Sequence, residues 1–274
     1  VVVVGGGPAG SATALQLARA GIGVTLVERV DGAEGRRRKV CGEYQNSGAV
    51  AALDRLGALD TVRGAARPLQ GIRLMTPGAP GVELRFERPA LACDRGKLDS
   101  LLLAAAVDAG VRLVRGRVEG VLFAGQRAAG VIYRDASGEQ VRLGARYVAG
   151  ADGTGSLVAR KLGLTRRLGA RRRFAIGGHY RGFGDLNGFV EMYVGGGAYF
   201  ALNPLDASRA NVMLVVPQTT LESWSDVDTG MRAKADLLGA GRRSFTAVER
   251  LGERLSVGPL AHRVRSPVAP GAIL

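Results

Sequence analysis

Cysteine, histidine and lysine are all scarce in this 274-residue chain, and each shortage removes a class of function. Two cysteines, Cys41 and Cys93, make no disulfide framework and show no metal-ligand spacing. Two histidines, His179 and His262, have no partner at i+3 or i+4, so neither zinc chemistry nor a histidine-based hydrolase is indicated, and no metal is expected. Lys39, Lys97, Lys161 and Lys234 are the only lysines, so the formal charge of +14 is carried by arginine. Those arginines are spread along the chain without a helix-turn-helix, zinc or RNA-binding signature. They read as a solvated surface with a few anion contacts rather than as a nucleic-acid binder. Two clusters, Arg36 to Lys39 and Arg166 to Arg173, either meet a cofactor phosphate or an acidic substrate or are exposed loops. No apolar run approaches the roughly 18 residues of a membrane-spanning helix. The chain opens on an apolar run with no signal peptide and no initiator Met, which leads us to expect a cytoplasmic protein and an excerpt of a longer one.

What is present is concentrated in the first thirty residues. Val1 to Val4 is an unbroken β-branched run, suited to a strand buried on both faces of a parallel sheet. Gly5-Gly-Gly-Pro-Ala-Gly10 follows, then a helix with Ala12, Leu15, Leu17 and Ala18 on its small, apolar face, stopped at Gly21. A second strand, Val24 to Val27, ends on Glu28. In the spacing Gly5-x-Gly7-x-x-Gly10 the first glycine allows the tight turn. The second lets the backbone approach a pyrophosphate, and the third lets helix and strand pack closely. The helix N-terminus offers N–H groups to phosphate, and Glu28 stands where a carboxylate can accept both hydroxyls of an adenosine ribose.

Further along, Ser47 is expected to cap a helix carrying Val50, Leu53 and Leu56. Residues 69–87 alternate as two antiparallel strands about Pro77-Gly78, with Val82, Leu84 and Phe86 inward. Asp94 opens a helix containing Leu98, Leu102 and Ala106 that Gly110 closes, and Val111 to Val114 returns as a strand. Segments near 117–124, 128–134 and 139–143 read as a three-stranded β-meander. Ala145 to Gly150 re-enters the buried sheet and delivers Ala151-Asp-Gly-Thr-Gly-Ser156. From Phe174 onward the pattern is mainly antiparallel strand, with one helix at about 227–238.

The Gly5–Gly10 turn with Glu28, the Gly150-Ala-Asp-Gly-Thr-Gly-Ser156 strand–turn, and Arg95 with Leu98-Asp99 at a helix start resemble FAD-dependent enzymes of the para-hydroxybenzoate hydroxylase superfamily. Lys39-Val-Cys-Gly-Glu43 and Val190-Glu-Met-Tyr…Tyr199-Phe-Ala-Leu-Asn-Pro204 are most similar to the branch of geranylgeranyl reductases and related flavin monooxygenases. The resemblance implies a Rossmann-like α/β FAD-binding domain of the glutathione-reductase type, with a β-meander, plus an antiparallel β-sheet substrate domain. The FAD-binding domain would take residues 1–68 and 93–164, the substrate domain 69–92 and 165–264. Residues 265–274 would begin a last FAD segment, the strand before a Gly-Asp stretch that binds the ribityl chain.

Carried over to this sequence, the resemblance has Gly5, Gly7, Ala9 and Gly10 hold the FAD pyrophosphate and Glu28 its adenosine ribose. Val118 would bind adenine through its backbone, and Arg95 would neutralise phosphate or be a helix-flanking surface charge. Asp152 and Gly153 would line the cofactor cleft, and Cys41 and Gly42 would lie near the flavin ring, unless Cys41 is a packing residue. No catalytic side chain is assigned, since the flavin carries the chemistry. The expected activity is an NAD(P)H-dependent flavin monooxygenase acting on a bulky apolar or aromatic small molecule. A geranylgeranyl-reductase-type reduction of prenyl double bonds and a non-catalytic nucleotide-binding module are the alternatives. Phe189, Met192, Tyr193, Tyr199 and Phe200 would supply an apolar wall, about half of them facing it.

Overall fold

The computed structural model describes residues 1–29, 39–166, 172–184, 186–242, 248–260 and 263–274. The arginine cluster at 36–38, most of the second cluster and His262 lie outside the described residues. Along the chain run β1 (Val2–Val4), α1 (Pro8–Arg19), β2 (Thr25–Glu28), β3 (Tyr44–Gln45), α2 (Ser47–Arg55) and α3 (Leu59–Arg63). Next come β4 (Arg67–Met75), β5 (Val82–Ala92), α4 (Arg95–Asp108), β6 (Arg112–Ala124), β7 (Arg127–Asp135), β8 (Gln140–Gly144), β9 (Val148–Gly150) and α5 (Leu157–Lys161). After these are β10 (Thr165–Arg166), β11 (Arg173–Arg181), β12 (Phe189–Gly195), β13 (Ala198–Pro204), β14 (Arg209–Pro217), α6 (Gln218–Glu222) and α7 (Val227–Leu237). The last strands are β15 (Glu249–Val257), β16 (Arg263–Val264), β17 (Val268–Ala269) and β18 (Ala272–Ile273).

These elements form two compact units. The first comprises Val1–Arg37, Gly96–Arg167 and His262–Leu274 and is built on a sheet of order β17-β18-β9-β1-β2-β6-β7-β8. The strands β18, β9, β1, β2 and β6 are parallel neighbours, and β1 is buried at every residue because it sits in their middle. Strand β6 has two roles. Its start pairs in parallel with β2 from Arg112 to Arg115, and from Gly116 it runs antiparallel with β7. The expected strand at 111–114 and the first meander strand are therefore one continuous strand. Val2, Val4, Val27, Val131, Val148 and Val158 meet in the core of this unit.

The second unit, Arg38–Arg95 with Leu168–Ala261, carries a sheet of order β15-β11-β14-β13-β12-β4-β5-β3. All its pairings are antiparallel except β12 with β4. One face of β11, β13 and β14 presents Ile176, Phe200, Leu202, Val212 and Leu214 to Met231 and Ala235 of α7, and these residues bury almost completely. By strand alternation the opposite face carries His179, Tyr199, Ala201, Asn203, Asn211, Met213 and Val215.

Three expectations change here. Residues 38–68, read as part of the nucleotide domain, cluster with the second unit, because β3 pairs with β5 and α2 packs beside them. Asn46, not Ser47, caps α2, since its side-chain oxygen accepts the Ala49 N–H at 2.9 Å. Val82 and Leu84 are each 52% exposed rather than inward, since alternation identifies the faces of a strand but not which of them is covered.

Candidate functional site

In the first unit the Gly-rich turn is tight enough to exclude side chains. Gly5 has φ of 99°, and a Cβ there would lie 2.5 Å from the Ala151 carbonyl oxygen. A Cβ on Gly10 would lie 1.9 Å from the Gly5 carbonyl oxygen, so α1 presses directly on the turn. Gly7 is the N-cap of α1 and brings no side chain to its N-terminus, and Pro8 has no N–H. The backbone at Ala9 and Gly10 thus forms a side-chain-free cradle at a helix start, which suits a diphosphate. Glu28, nearly buried, accepts the Gly6 N–H through Oε2 and stands opposite Arg115 on β6. Strand β6 continues beyond the end of β2, and Val118 lies there, opposite Tyr133 of β7. These residues fit the adenosine and diphosphate half of FAD.

Asp152 is engaged in the turn itself. One carboxylate oxygen accepts the Ser156 hydroxyl at 2.5 Å, and the other accepts the N–H groups of Leu157 at 2.6 Å and Val158 at 3.2 Å. Its carboxylate thus holds the first N–H groups of α5, whose N-cap is Ser156, and Gly153 and Gly155 take φ of 78° and 77° to make the turn. What Asp152 and Gly153 offer a ligand is therefore the shape of the turn and its backbone.

The remaining predicted residues, Cys41, Gly42 and Arg95, belong to the second unit and meet around a residue that the sequence reading left without a role. Glu43 is 3% exposed and has φ of 54°, in the left-handed region. Its Oε1 accepts the backbone N–H of Arg95 at 2.9 Å, and its Oε2 accepts Asn211 Nδ2 at 3.0 Å. His179 Nε2 lies 2.7 Å from the same Oε2. The other ring nitrogen, Nδ1, faces Asp94 Oδ2 at 3.7 Å. The backbone of Glu43 is bound as well, its carbonyl accepting the Cys93 N–H at 3.1 Å and its own N–H donating to Cys41 Sγ at 3.3 Å. Asn203 Nδ2 donates to the Gly42 carbonyl at 2.8 Å.

His179, Asn211 and Asn203 are successive cross-strand partners on β11, β14 and β13, so they form one polar row across the sheet. His179 has no partner at i+3 or i+4, as the sequence shows; its partners come from distant parts of the chain, and no local spacing reveals them. The one usable signal was an isolated Asn or His at an inward position of an otherwise apolar strand. Glu43, Asp94 and His179 also have donor atoms close enough to suggest an ion. The two carboxylates, however, sit against different ring nitrogens, and both oxygens of Glu43 already accept hydrogen bonds.

Beyond the polar row, Met213, Ala201 and Met192 continue this face, and burial pushes the Tyr199 phenol up, with nearby Arg173 opposing, so Tyr199 remains neutral. Of the expected apolar wall, Tyr193 and Phe200 turn instead to the α7 side. Phe189 is buried beneath the Arg73 guanidinium, 4.3 Å from its ring centre.

A family described as FAD binding domain matches residues 1–271, and the chain belongs to it. Among characterised proteins it is 35% identical over 172 residues to menaquinone reductase of Mycolicibacterium smegmatis, a match covering 60% of this chain and 40% of the relative. It is 31% identical over 169 residues to geranylgeranyl diphosphate reductase of Rhodobacter capsulatus, covering 60% and 40%. It is 33% identical over 187 residues to para-nitrophenol 4-monooxygenase of a Pseudomonas species, covering 60% and 42%. The matches thus span about two fifths of these relatives' length. The fold is shared with a myxobacterial chondrochloren halogenase, an FAD-dependent enzyme, at a TM-score of 0.89 and 24% identity, covering 99% of this chain and 66% of that one. Among the described residues no helix is long and apolar enough to cross a membrane.

Proposed function

We propose that the whole protein is an FAD-dependent reductase that uses NAD(P)H to saturate a carbon–carbon double bond in an isoprenoid chain. The observation that carries this is the Cys41 thiol beside the Glu43 N–H, in a segment gripped from the sheet face that carries Met192, Ala201 and Met213. Bound FAD would take a hydride from NAD(P)H and supply it to the double bond. The chain's own part is to hold the cofactor through Gly5, Gly7, Ala9, Gly10 and Glu28, and to provide a proton. Cys41 Sγ–H can give that proton to the carbon that does not receive the hydride. The thiolate left behind gains a stronger hydrogen bond from the Glu43 N–H, and water returns the proton. The strip formed by Met192, Ala201 and Met213 suits an apolar chain, which needs no polar anchor along its length. The reductases among the relatives support the same reading.

A monooxygenase is the second reading, favoured by the 33% identity to para-nitrophenol 4-monooxygenase. Anaerobic turnover separates the two. Full-length protein with FAD, NAD(P)H and a prenyl substrate is expected to yield a product two hydrogens heavier without oxygen. Product that appears only in air, with oxygen consumed in step, would replace the reductase by the monooxygenase.

A further inference from the structure

We infer that Glu43 is a positioning residue. With His179, Asn211 and Asn203 it clamps the Cys41–Gly42 segment and holds the Cys41 thiol in one orientation; that this orientation serves the reaction rests on the reductase reading above. The clamp acts on both sides of Gly42. Asn203 takes the Gly42 carbonyl, while the Glu43 N–H takes Cys41 Sγ. Glu43 is in turn held at its carboxylate by Arg95 N–H, Asn211 and His179, and at its carbonyl by Cys93 N–H.

Stability alone does not account for this arrangement. A glutamate in left-handed backbone is strained, and a buried carboxylate paired with an imidazole is usually no more stabilising than an apolar replacement. Among the described residues the buried side-chain atoms without a hydrogen-bond partner are His179 Nδ1, Asn203 Oδ1 and Gln45 Oε1. Two belong to the clamp and the third lies two residues beyond Glu43. Each such atom costs stability, and local costs of this kind gather where geometry matters more than stability. The charged groups facing His179 are Glu43 and Asp94, one at each ring nitrogen. Its cross-strand neighbours, Asn211 and Leu251, are uncharged.

The two cysteines of this chain supply the test. Cys41 is part-exposed and Cys93 is 1% exposed, so iodoacetamide labelling of the native full-length protein, read cysteine by cysteine by peptide mass spectrometry, follows Cys41 directly, and a silent Cys93 reports an intact fold. At about pH 10, above the ordinary thiol range, the rate measures access rather than ionisation. Glu43→Gln, His179→Gln and Asn203→Ala should each label Cys41 roughly tenfold faster with Cys93 silent. The Glu43→Gln/His179→Gln pair should be no faster than the quicker single variant, as expected of one unit. Labelling within about twofold of wild type in all three overturns the clamp. If Glu43→Gln exposes Cys93, Asn203→Ala decides, since it removes only the hold on Gly42. Turnover adds the readout that a merely structural role would not give. In a Cys41→Ser background, Glu43→Gln should cost no further activity, and a further loss of about tenfold overturns action through Cys41. Labelling needs no substrate, so a failed reductase reading leaves the clamp independently testable.

Discussion

His179 and Asn211 face each other across β11 and β14, and both hydrogen-bond the same oxygen of Glu43, a residue 136 and 168 positions away in the chain. A cross-strand pair usually contributes through mutual packing. This one acts as a two-pronged hold on one carboxyl oxygen, and with it on the Cys-Gly segment immediately before Glu43.

Glu28 has two functions in the proposed site, holding the Gly6 N–H and meeting the adenosine ribose. Glu28→Ala should weaken FAD binding by about 1.5–3 kcal/mol, the loss of a hydrogen bond to a charged group, or roughly 10- to 100-fold in Kd. Flavin fluorescence titration of the folded full-length variant checks it; unchanged affinity would remove Glu28 from the cofactor site.

Gly10→Ala is expected to be far worse than an ordinary helix Gly→Ala exchange, which normally stabilises. The new Cβ would meet the backbone oxygen of Gly5, which has no flexible side chain to move aside. A loss of about 1–3 kcal/mol in chemical denaturation, with weaker FAD binding, is the expected result. A variant as stable as wild type would show that α1 can shift away from the turn.

Asn46→Ala removes the side-chain cap of α2 and should cost about 1 kcal/mol, whereas Ser47→Ala should be nearly neutral. Paired thermal melts distinguish them. The opposite order would return the cap to Ser47.

Asp206 should make stability depend on acid. Burial raises its pKa, but hydrogen bonds from Arg209 and from the Ser208 and Arg209 N–H groups outweigh that and hold it well below the usual carboxylate range. The stabilisation is therefore complete above the unfolded value of about 3.9 and is lost as pH falls through the lower folded value. Asp206→Asn should flatten the acid limb of a stability–pH profile relative to wild type. Because the side chain is part-exposed and screened by water, the effect should be modest. Identical profiles would show that other carboxylates set the acid limb.

The sequence by itself determined the features that depend on neighbours in the chain. A β-branched run, three glycines at fixed spacing and an acid at the next strand end are local requirements of a dinucleotide turn, and β1, α1 and β2 appear where that pattern puts them. The later strands were legible for the same reason, since alternation is a property of consecutive residues. Only the tertiary structure decided which face of each strand would be covered, and so left Val82 and Leu84 exposed and turned Phe200 towards α7. It also decided that β3 joins β5, moving residues 38–68 into the second unit. Above all it gave Glu43 its partners. Asp94, His179, Asn203 and Asn211 are unremarkable where they stand in the sequence, and only strand register brings them to one carboxylate, because register depends on the packing of the whole sheet.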